Sequence, residues 1–388
     1  MKNNLKTLLI CLNNLLGNVK LYDQEKQIAI NQQLTELKDL DLKEYSIQYK
    51  NLFGALNLLD VPYVNIDRDV QQQEYFENTV KSLINSLITS INTLIQLEPI
   101  AKVSDDNIML VGANGAGKSS FASYLVKKRV FNAITAIPAQ KVLFIGNNNS
   151  FNVSTTEMIQ QKQSSLELKN QEVQINTSQG LGSLFSDLIV AMINDETQKS
   201  VDYKEEISSG GSHDVPKTNF DKFKQIFSQV FTGITFNIET SSRVLNPIHK
   251  ENKYPLNGMS DGEKVSIYFI LNVLFAKTNS YIVIDEPDTF LNPNISDKLW
   301  DLLEQARSDC QFIYITHNIE FINSRSNSQL FWLISSDLEN DSWNIELVEN
   351  TNFPDDLLVS LLGNKKKVLF CEGNDKKSLD YQLYEILF

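Results

Sequence analysis

Cysteine is scarce in this chain, and apolar runs long enough for a membrane are missing. Its three cysteines, Cys11, Cys310 and Cys371, lie far apart and form no Cys-x-x-Cys pair. This spacing excludes a disulfide framework and fits a reducing compartment. The longest apolar run, residues 267–276, contains Asn272 and falls short of the roughly 18 residues that a membrane helix needs. We therefore expect a cytoplasmic protein without a membrane-spanning segment.

Positive charge is also in short supply. The 388 residues include 35 Lys and Arg against 48 Asp and Glu, for a formal net charge of -13. An acidic surface repels phosphate backbones, so the charge does not indicate nucleic-acid binding over the whole surface. Residues 127–129 and 365–367 are the tight basic clusters. Both are typical of solvated edges, although a local basic groove stays open as an alternative.

The chain is longer than the roughly 250–300 residues at which single cores stop growing, so we expect more than one unit. Residues 1–100 have the three-four apolar spacing of helices, clearest in a stripe from Val80 to Ile95 that should pack against a neighbouring helix. Residues 101–360 should form the main head, with a Gln/Ser-rich, partly mobile helical insertion at about 154–231. Residues 364–388 form a separate tail.

The head alternates apolar strands with helices, which predicts an α/β fold whose mixed sheet is covered on both faces. The predicted strands are residues 107–111, 141–145, 233–238, 281–284, 311–315, 330–334 and 343–348. Helices are predicted at 158–171, 181–194, 263–277 and 294–307.

The strongest motif is G-A-N-G-A-G-K-S at residues 112–119, which matches G-x-x-x-x-G-K-[ST], follows a strand and opens a helix. Its glycines let backbone N–H groups point at phosphate oxygens, and the helix N-terminus adds partial positive charge. Lys118 should reach the β- and γ-phosphates, and Ser119 should bind Mg²⁺. ATP and Mg²⁺ are the predicted cofactors. The predicted contacts are Gly112, Asn114, Gly115, Ala116, Gly117, Lys118, Ser119 and Ser120.

A second motif delivers two acids at the end of an apolar strand. Residues 281–284 are apolar and lead directly into Asp285 and Glu286. Asp285 should hold Mg²⁺ through water, and Glu286 should orient or deprotonate the attacking water. The alternative is an acidic pair on the surface, which the wholly apolar strand before it disfavours.

A third motif, Ser-Asp-Gly-Glu-Lys at residues 260–264, precedes an apolar helix. Ser260 and Glu263 have the spacing of a capping box, so the motif is explained by a helix start alone. A serine hydroxyl and Gly262 at a helix N-terminus also form an anion site. The position of the motif, shortly before the Asp285 strand, favours the functional interpretation.

Placed there, the motif resembles the signature loop of the ABC superfamily, in the variant of SMC-related and defence ATPases. The resemblance spans about residues 103–340 and implies an ABC-type P-loop NTPase head. It implies that Ser260 and Gly262 bind the γ-phosphate of ATP held by the opposite subunit, which makes the protein a homo-oligomer, at least a head-to-head dimer. Residues 1–100 are not explained by it.

The same resemblance assigns three further residues. Asp288 stands where the family has its D-loop, and His317, after the strand at 311–315, matches the switch histidine that contacts the γ-phosphate. Glu286 and His317 are therefore the predicted catalytic residues, and Ser119 and Asp285 the predicted metal ligands. Gln140 is the candidate for the Q-loop glutamine. A structural role is the alternative for a histidine at a strand end.

The tail resembles the start of a Toprim domain, because Glu372-Gly-Asn-Asp375 follows an apolar strand. A Mg²⁺-dependent Toprim site needs a further Asp-x-Asp on a later strand, and the chain stops at Phe388. We expect either that the chain is cut short or that another polypeptide supplies the rest. A plain closing strand and helix is the alternative.

An ATPase followed by a Toprim start resembles the overcoming-lysogenization-defect nucleases and, more closely, the AriA-like ATPases of the phage anti-restriction-induced system. The resemblance implies an ATPase that controls a Toprim-like nuclease effector in cis or trans, with a phage protein as trigger. An SMC-like DNA clamp is an alternative, disfavoured because the segment between Lys118 and Ser260 is too short for long coiled-coil arms. The nucleotide-binding subunit of a transporter is a further alternative, which the sequence favours less.

Overall fold

The computed structural model describes residues 2–17, 24–38, 70–101, 106–127, 133–139, 154–165, 181–210, 215, 217–239, 243–339, 342–348 and 354–362. The predicted strand at 141–145 and the tail from residue 364 lie outside these ranges. No helix among the described residues is long and apolar enough to cross a membrane.

Helices and strands alternate one by one between residues 261 and 337. The helices are α1 (Lys2–Gly17), α2 (Gln24–Lys38), α3 (Val70–Ala101), α4 (Lys118–Lys127), α5 (Thr156–Ser165), α6 (Leu181–Ser208), α7 (Asn219–Val230), α8 (Asp261–Phe275), α9 (Pro293–Ala306), α10 (Ile319–Ser324) and α11 (Asp355–Leu362). The strands are β1 (Ile108–Val111), β2 (Ile134–Ile137), β3 (Ile234–Glu239), β4 (Val244–His249), β5 (Asn252–Lys253), β6 (Tyr281–Asp285), β7 (Gln311–Thr316), β8 (Gln329–Asp337) and β9 (Ser342–Val348).

The main sheet has six strands in the order β2-β6-β7-β1-β8-β9. All neighbouring pairs are parallel except β8 and β9, which pair antiparallel, so the predicted mixed sheet is confirmed. Val111 at the end of β1 is in register with Thr316 of β7, and Ile315 of β7 is in register with Asp285 of β6. The carboxyl ends of three adjacent strands therefore share one edge, where ligands bind in open parallel sheets.

Alternate side chains of the strands pack into two hydrophobic layers, one on each face of the sheet. Met109 and Val111 face a core shared with α6, α8 and α9, whereas Ile108 and Leu110 face a core shared with α3 and α4. This alternation follows from the two-residue period of strand side chains. The predicted covering of both sheet faces is thereby confirmed.

Helix α3 contributes more buried residues to the second layer than any other described element. The predicted stripe is buried at Val80, Ile84, Leu87, Ile91 and Leu94, and α1 packs beside it. Near its C-terminal end, Gln96 accepts a hydrogen bond from the backbone N–H of Trp343 at 3.2 Å, which ties α3 to β9.

The block at 154–231 contributes to the first layer. Phe185 of α6 packs on Tyr268 of α8 with ring centroids 6.0 Å apart. In α7, Phe223 and Phe227 are buried, and both pack edge-on against Phe236 of β3. Strand β3 belongs to a separate antiparallel sheet in the order β3-β4-β5. Strand β2, strand β4 and helix α7 were not predicted from the sequence, although the capping box that opens α7 at Thr218 is a legible signal.

Candidate nucleotide-binding site

The P-loop lies between β1 and α4, and two of its glycines pack closely against β8. Gly117 has φ +101°, and a Cβ built there would lie 2.3 Å from Oγ of Ser336. A Cβ on Gly112 would lie 2.5 Å from the carbonyl oxygen of Leu333, whereas Gly115, with φ +86°, faces open space. Only glycine combines a left-handed backbone with so close an approach. The loop therefore curls tightly against β8.

The ammonium group of Lys118 lies inside this curl. Lys118 Nζ donates hydrogen bonds to the carbonyl oxygens of Gly112 at 2.8 Å and Ala113 at 3.0 Å. Burial lowers the pKa of Lys118, and the nearby charges of Asp285 and Glu286 oppose that shift. The helix begins at Lys118, within the motif itself, so its first N–H groups face the loop.

The remaining P-loop residues lie at the loop apex and in the first turn of α4. Asn114 and Gly115 are exposed, whereas Ala116 and Ser120 are half-buried. Exposure at the apex leaves backbone N–H groups accessible to an anion from solvent, as phosphate binding requires.

Ser119 and Asp285 meet across the gap between α4 and β6. The Ser119 side chain lies close enough to the carboxylate of Asp285 to lower its pKa. Burial raises the pKa of Asp285 to about 6. Ser119 and Lys118 oppose that rise in pKa, and the charge of Glu286 adds to it. A hydroxyl and a carboxylate are the hard oxygen ligands that Mg²⁺ prefers, so these residues fit the predicted ion.

Glu286 adopts a backbone conformation that its sequence did not reveal. Its φ is +51°, in the left-handed region that non-glycine residues rarely occupy. Its N–H donates to the carbonyl oxygen of Ile315 at 2.8 Å, and Thr289 Oγ1 donates to its carboxylate at 3.3 Å. Strained residues of this kind cluster at functional sites, where the surrounding contacts hold them.

The capping box at Ser260 is confirmed. The Ser260 hydroxyl accepts from the N–H of Glu263 at 3.4 Å, and the Glu263 carboxylate accepts from the N–H of Ser260 at 2.9 Å. Ser260 is exposed, and a Cβ built on Gly262 would lie 3.1 Å from the carbonyl oxygen of Phe290. The start of α8 therefore lies against the turn that follows β6. Anion binding by this helix end stays a prediction.

The end of β7 meets the same turn. Asp288 accepts hydrogen bonds from Thr316 and Asn318, which flank His317 in the sequence. His317 is half-buried. The structure thus brings the strand that carries His317 together with the turn that carries Glu286 and Asp288. Direct contact of Asp288 and His317 with nucleotide stays a prediction, and Gln140 lies outside the described residues.

The parallel sheet, the P-loop after β1 and the acids at the end of β6 form an α/β nucleotide-binding fold of the P-loop type. Residues 178–323, less than half of the chain, match the family model described as "AAA domain, putative AbiEii toxin, Type IV TA system". The matched range contains Ser260, Asp285, Glu286 and His317 but not the P-loop. None of the curated proteins compared with the chain matches it.

Solved structures with similarity to the chain include SMC heads and an ABC transporter. The SMC head domain from Thermotoga maritima has 17% identity and a TM-score of 0.34, covering 63% of this chain and 91% of its own. The Pyrococcus furiosus Smc head with an extended coiled coil, bound to the C-terminal domain of ScpA, has 12% identity and a TM-score of 0.35, covering 64% and 91%. A metal-chelate type ABC transporter has 13% identity and a TM-score of 0.32, covering 66% and 79%.

Proposed function

We propose that this protein binds Mg²⁺–ATP at the P-loop and hydrolyses it between two copies of the head. The observation that carries the proposal is the meeting of Lys118, Ser119, Asp285 and Glu286 at one edge of the sheet. Lys118 and the loop N–H groups would bind the phosphates, and Ser119 and Asp285 would hold Mg²⁺. The ion would neutralise charge on the phosphate oxygens when bound.

Glu286 is the group proposed to orient or deprotonate the attacking water. Its backbone hydrogen bond to Ile315 fixes the Cα position beside the end of β7. Its carboxylate is half-buried and is held by one long hydrogen bond, from Thr289 at 3.3 Å, so it keeps acceptor capacity for a water. A carboxylate with free acceptor capacity near the phosphates suits general-base catalysis.

The exposure of Ser260 supports sharing of the nucleotide between copies. Its hydroxyl stands at the N-terminus of a 15-residue helix, where backbone N–H groups and the helix dipole favour an anion. A second copy that brings its own P-loop to this helix end would place a γ-phosphate there. The bound nucleotide would then join the two heads, and hydrolysis would separate them.

Two variants test the proposal in opposite directions. Lys118→Ala should abolish ATP binding, because the phosphates lose their main cation, while Glu286→Gln should bind ATP and accumulate as a stable dimer. Size-exclusion chromatography with light scattering, with and without ATP, measures both, and Lys204→Ala on the exposed side of α6 is the matched control. A Glu286→Gln protein that binds ATP and stays monomeric contradicts the shared site.

We further propose that this ATPase controls a Toprim-like nuclease effector in anti-phage defence. The tail at 364–388, similar to a Toprim start, supports this, and so does the description of the matched family as a toxin of a type IV toxin–antitoxin system. Phage challenge of cells that carry the gene with its neighbours should show protection that Lys118→Ala removes. Duplex DNA binding that requires ATP and weakens with salt would instead support a DNA-clamping role.

A further inference from the structure

The carboxylate of Asp288 joins the turn after β6 to the end of β7 on both sides of His317. Thr316 Oγ1 donates to Asp288 Oδ1 at 3.0 Å, and Asn318 Nδ2 donates to Asp288 Oδ2 at 2.7 Å. We call Asp288, Thr316 and Asn318 the Asp288 clamp. Thr316 is 1% exposed, so water competes poorly for its hydrogen bond. Both oxygens of Asp288 are thus engaged within the chain.

Neighbouring groups fix the direction of each hydrogen bond in the Asp288 clamp. The backbone N–H of Asn318 donates to Thr316 Oγ1 at 2.9 Å, which leaves the hydroxyl proton of Thr316 for Asp288. The backbone N–H of Glu320 donates to Asn318 Oδ1 at 2.9 Å, which turns the amide nitrogen of Asn318 towards Asp288. Both partners therefore present donors, and residue 288 must offer two acceptors. A carboxylate does so and an amide does not.

The same turn is anchored to β7 at a second point. The N–H of Glu286 donates to the carbonyl oxygen of Ile315 at 2.8 Å, two residues before His317. Glu286 and Asp288 thus bind successive residues of β7, and the three-residue segment 286–288 has little freedom to move against the strand. The backbone positions of Glu286 and His317 are fixed relative to each other.

We propose that Asp288 is a positioning residue that holds His317 in place beside Glu286. The proposal rests on the proposed function, in which His317 meets the γ-phosphate. A histidine held by its flanking residues before nucleotide arrives loses less conformational freedom on engaging the phosphate, and that lowers the barrier to the reaction. Asp288 should therefore affect turnover, whereas nucleotide affinity should depend on the P-loop.

Exchanging the chemical groups of the clamp tests the proposal directly. In Asp288→Asn, the new amide N–H group faces the amide N–H group of Asn318, and two donors cannot bond. The variant should lower kcat about tenfold or more, with little change in KM. Combining it with Asn318→Asp restores both hydrogen bonds. The amide oxygen at 288 still accepts from Thr316, and the bond between 288 and 318 forms with reversed polarity, because the carboxylate at 318 accepts from both the amide at 288 and the N–H of Glu320. The exchange should bring kcat back to within about threefold of wild type. A double variant as slow as Asp288→Asn overturns the proposal.

Two further measurements separate positioning from a general structural role. In a His317→Ala background, Asp288→Asn should cost nothing further in kcat, whereas independent effects would multiply. Asp221→Asn is the matched control, because Asp221 also accepts from a threonine hydroxyl, Thr218 Oγ1, in the capping box of α7. It should leave kcat unchanged. If the losses in kcat from Asp288→Asn and His317→Ala multiply in the double variant, the proposal is overturned.

Histidine-selective NMR of the nucleotide-free protein gives an answer that does not depend on hydrolysis. The chain has three histidines, His213, His249 and His317, so the spectrum is simple to assign. Asp288→Asn should broaden or split the His317 resonances and leave those of His249 unchanged. Unchanged His317 resonances overturn the clamp. Failure of the wild-type protein to bind ATP, with the NMR response present, would instead contradict the proposed function alone.

Discussion

The Ser119 side chain lies close to the Asp285 carboxylate across the boundary between the first turn of α4 and the carboxyl end of β6, and it favours the charged form of Asp285. These residues lie far apart in the sequence, and β6 is not a neighbour of β1 in the sheet. Strand β7 separates the two strands, so the contact depends on the length of the P-loop. The charge of Lys118 favours the ionised form of Asp285, but burial of the carboxyl group outweighs it.

Asp285→Asn should therefore stabilise the nucleotide-free protein while weakening Mg²⁺–ATP binding. Because burial raises the folded-state pKa to about 6 from 3.8, the wild type loses stability as pH rises from about 4 to about 6, and stability is level above that. The amide keeps an oxygen for Ser119 and carries no charge. We expect a gain of about 1–3 kcal/mol at pH 7.5 and almost none at pH 4, measured by urea unfolding. A variant less stable than wild type at pH 7.5 contradicts this.

Gly117→Ala should destabilise the protein more than Gly115→Ala does. Both positions have a left-handed backbone, which costs an alanine about 1–2 kcal/mol, but only at Gly117 does the new methyl group collide with Ser336. Ser336→Gly should recover part of the loss in the Gly117→Ala background and nothing in the Gly115→Ala background. Thermal unfolding of the five proteins measures this, and equal losses at the two glycines would show that β8 does not press on the loop.

Ser260→Asp should separate helix capping from nucleotide sharing. Aspartate caps a helix as well as serine does, so the variant should keep its stability, whereas Ser260→Ala should lose about 1 kcal/mol. The added negative charge would face the γ-phosphate of the second copy and should prevent dimerisation with ATP. Thr218→Ala, which removes the other capping box, should lose similar stability yet still dimerise. ATP-dependent dimers of Ser260→Asp, seen by light scattering, would exclude Ser260 from the shared site.

Arg307→Met should cost about 2–4 kcal/mol, because Arg307 satisfies the carboxyl end of α8. The guanidinium donates to the carbonyl oxygens of Val273 at 2.7 Å, Ala276 at 2.8 Å and Lys277 at 3.0 Å. Lysine lacks the fork geometry to reach all three, so Arg307→Lys should recover less than half of the loss. Urea unfolding measures both variants against Lys298→Met on the exposed side of α9, and a loss no larger than that of this control would show that the cap contributes little.

Local patterns were enough to place most of the head's elements. The P-loop consensus, the apolar run before Asp285 and the Ser260–Glu263 spacing each depend on neighbours in sequence, so they were found without a fold. The same holds for the stripe on α3, whose period is fixed by helix geometry. Short elements with ordinary composition were missed, among them β2 and β4, because four to six residues carry too little pattern to distinguish a strand from a loop.

The sequence by itself determined that a phosphate-binding loop, two acids on a strand end and a capped helix exist, because each is encoded within a few residues. The tertiary structure decided that Gly117 must leave room for Ser336, that Glu286 takes a left-handed backbone and that Asp288 binds both neighbours of His317. These facts arise where separate strands meet at one sheet edge. Contacts between distant segments depend on the packing of the whole sheet, which no local spacing records.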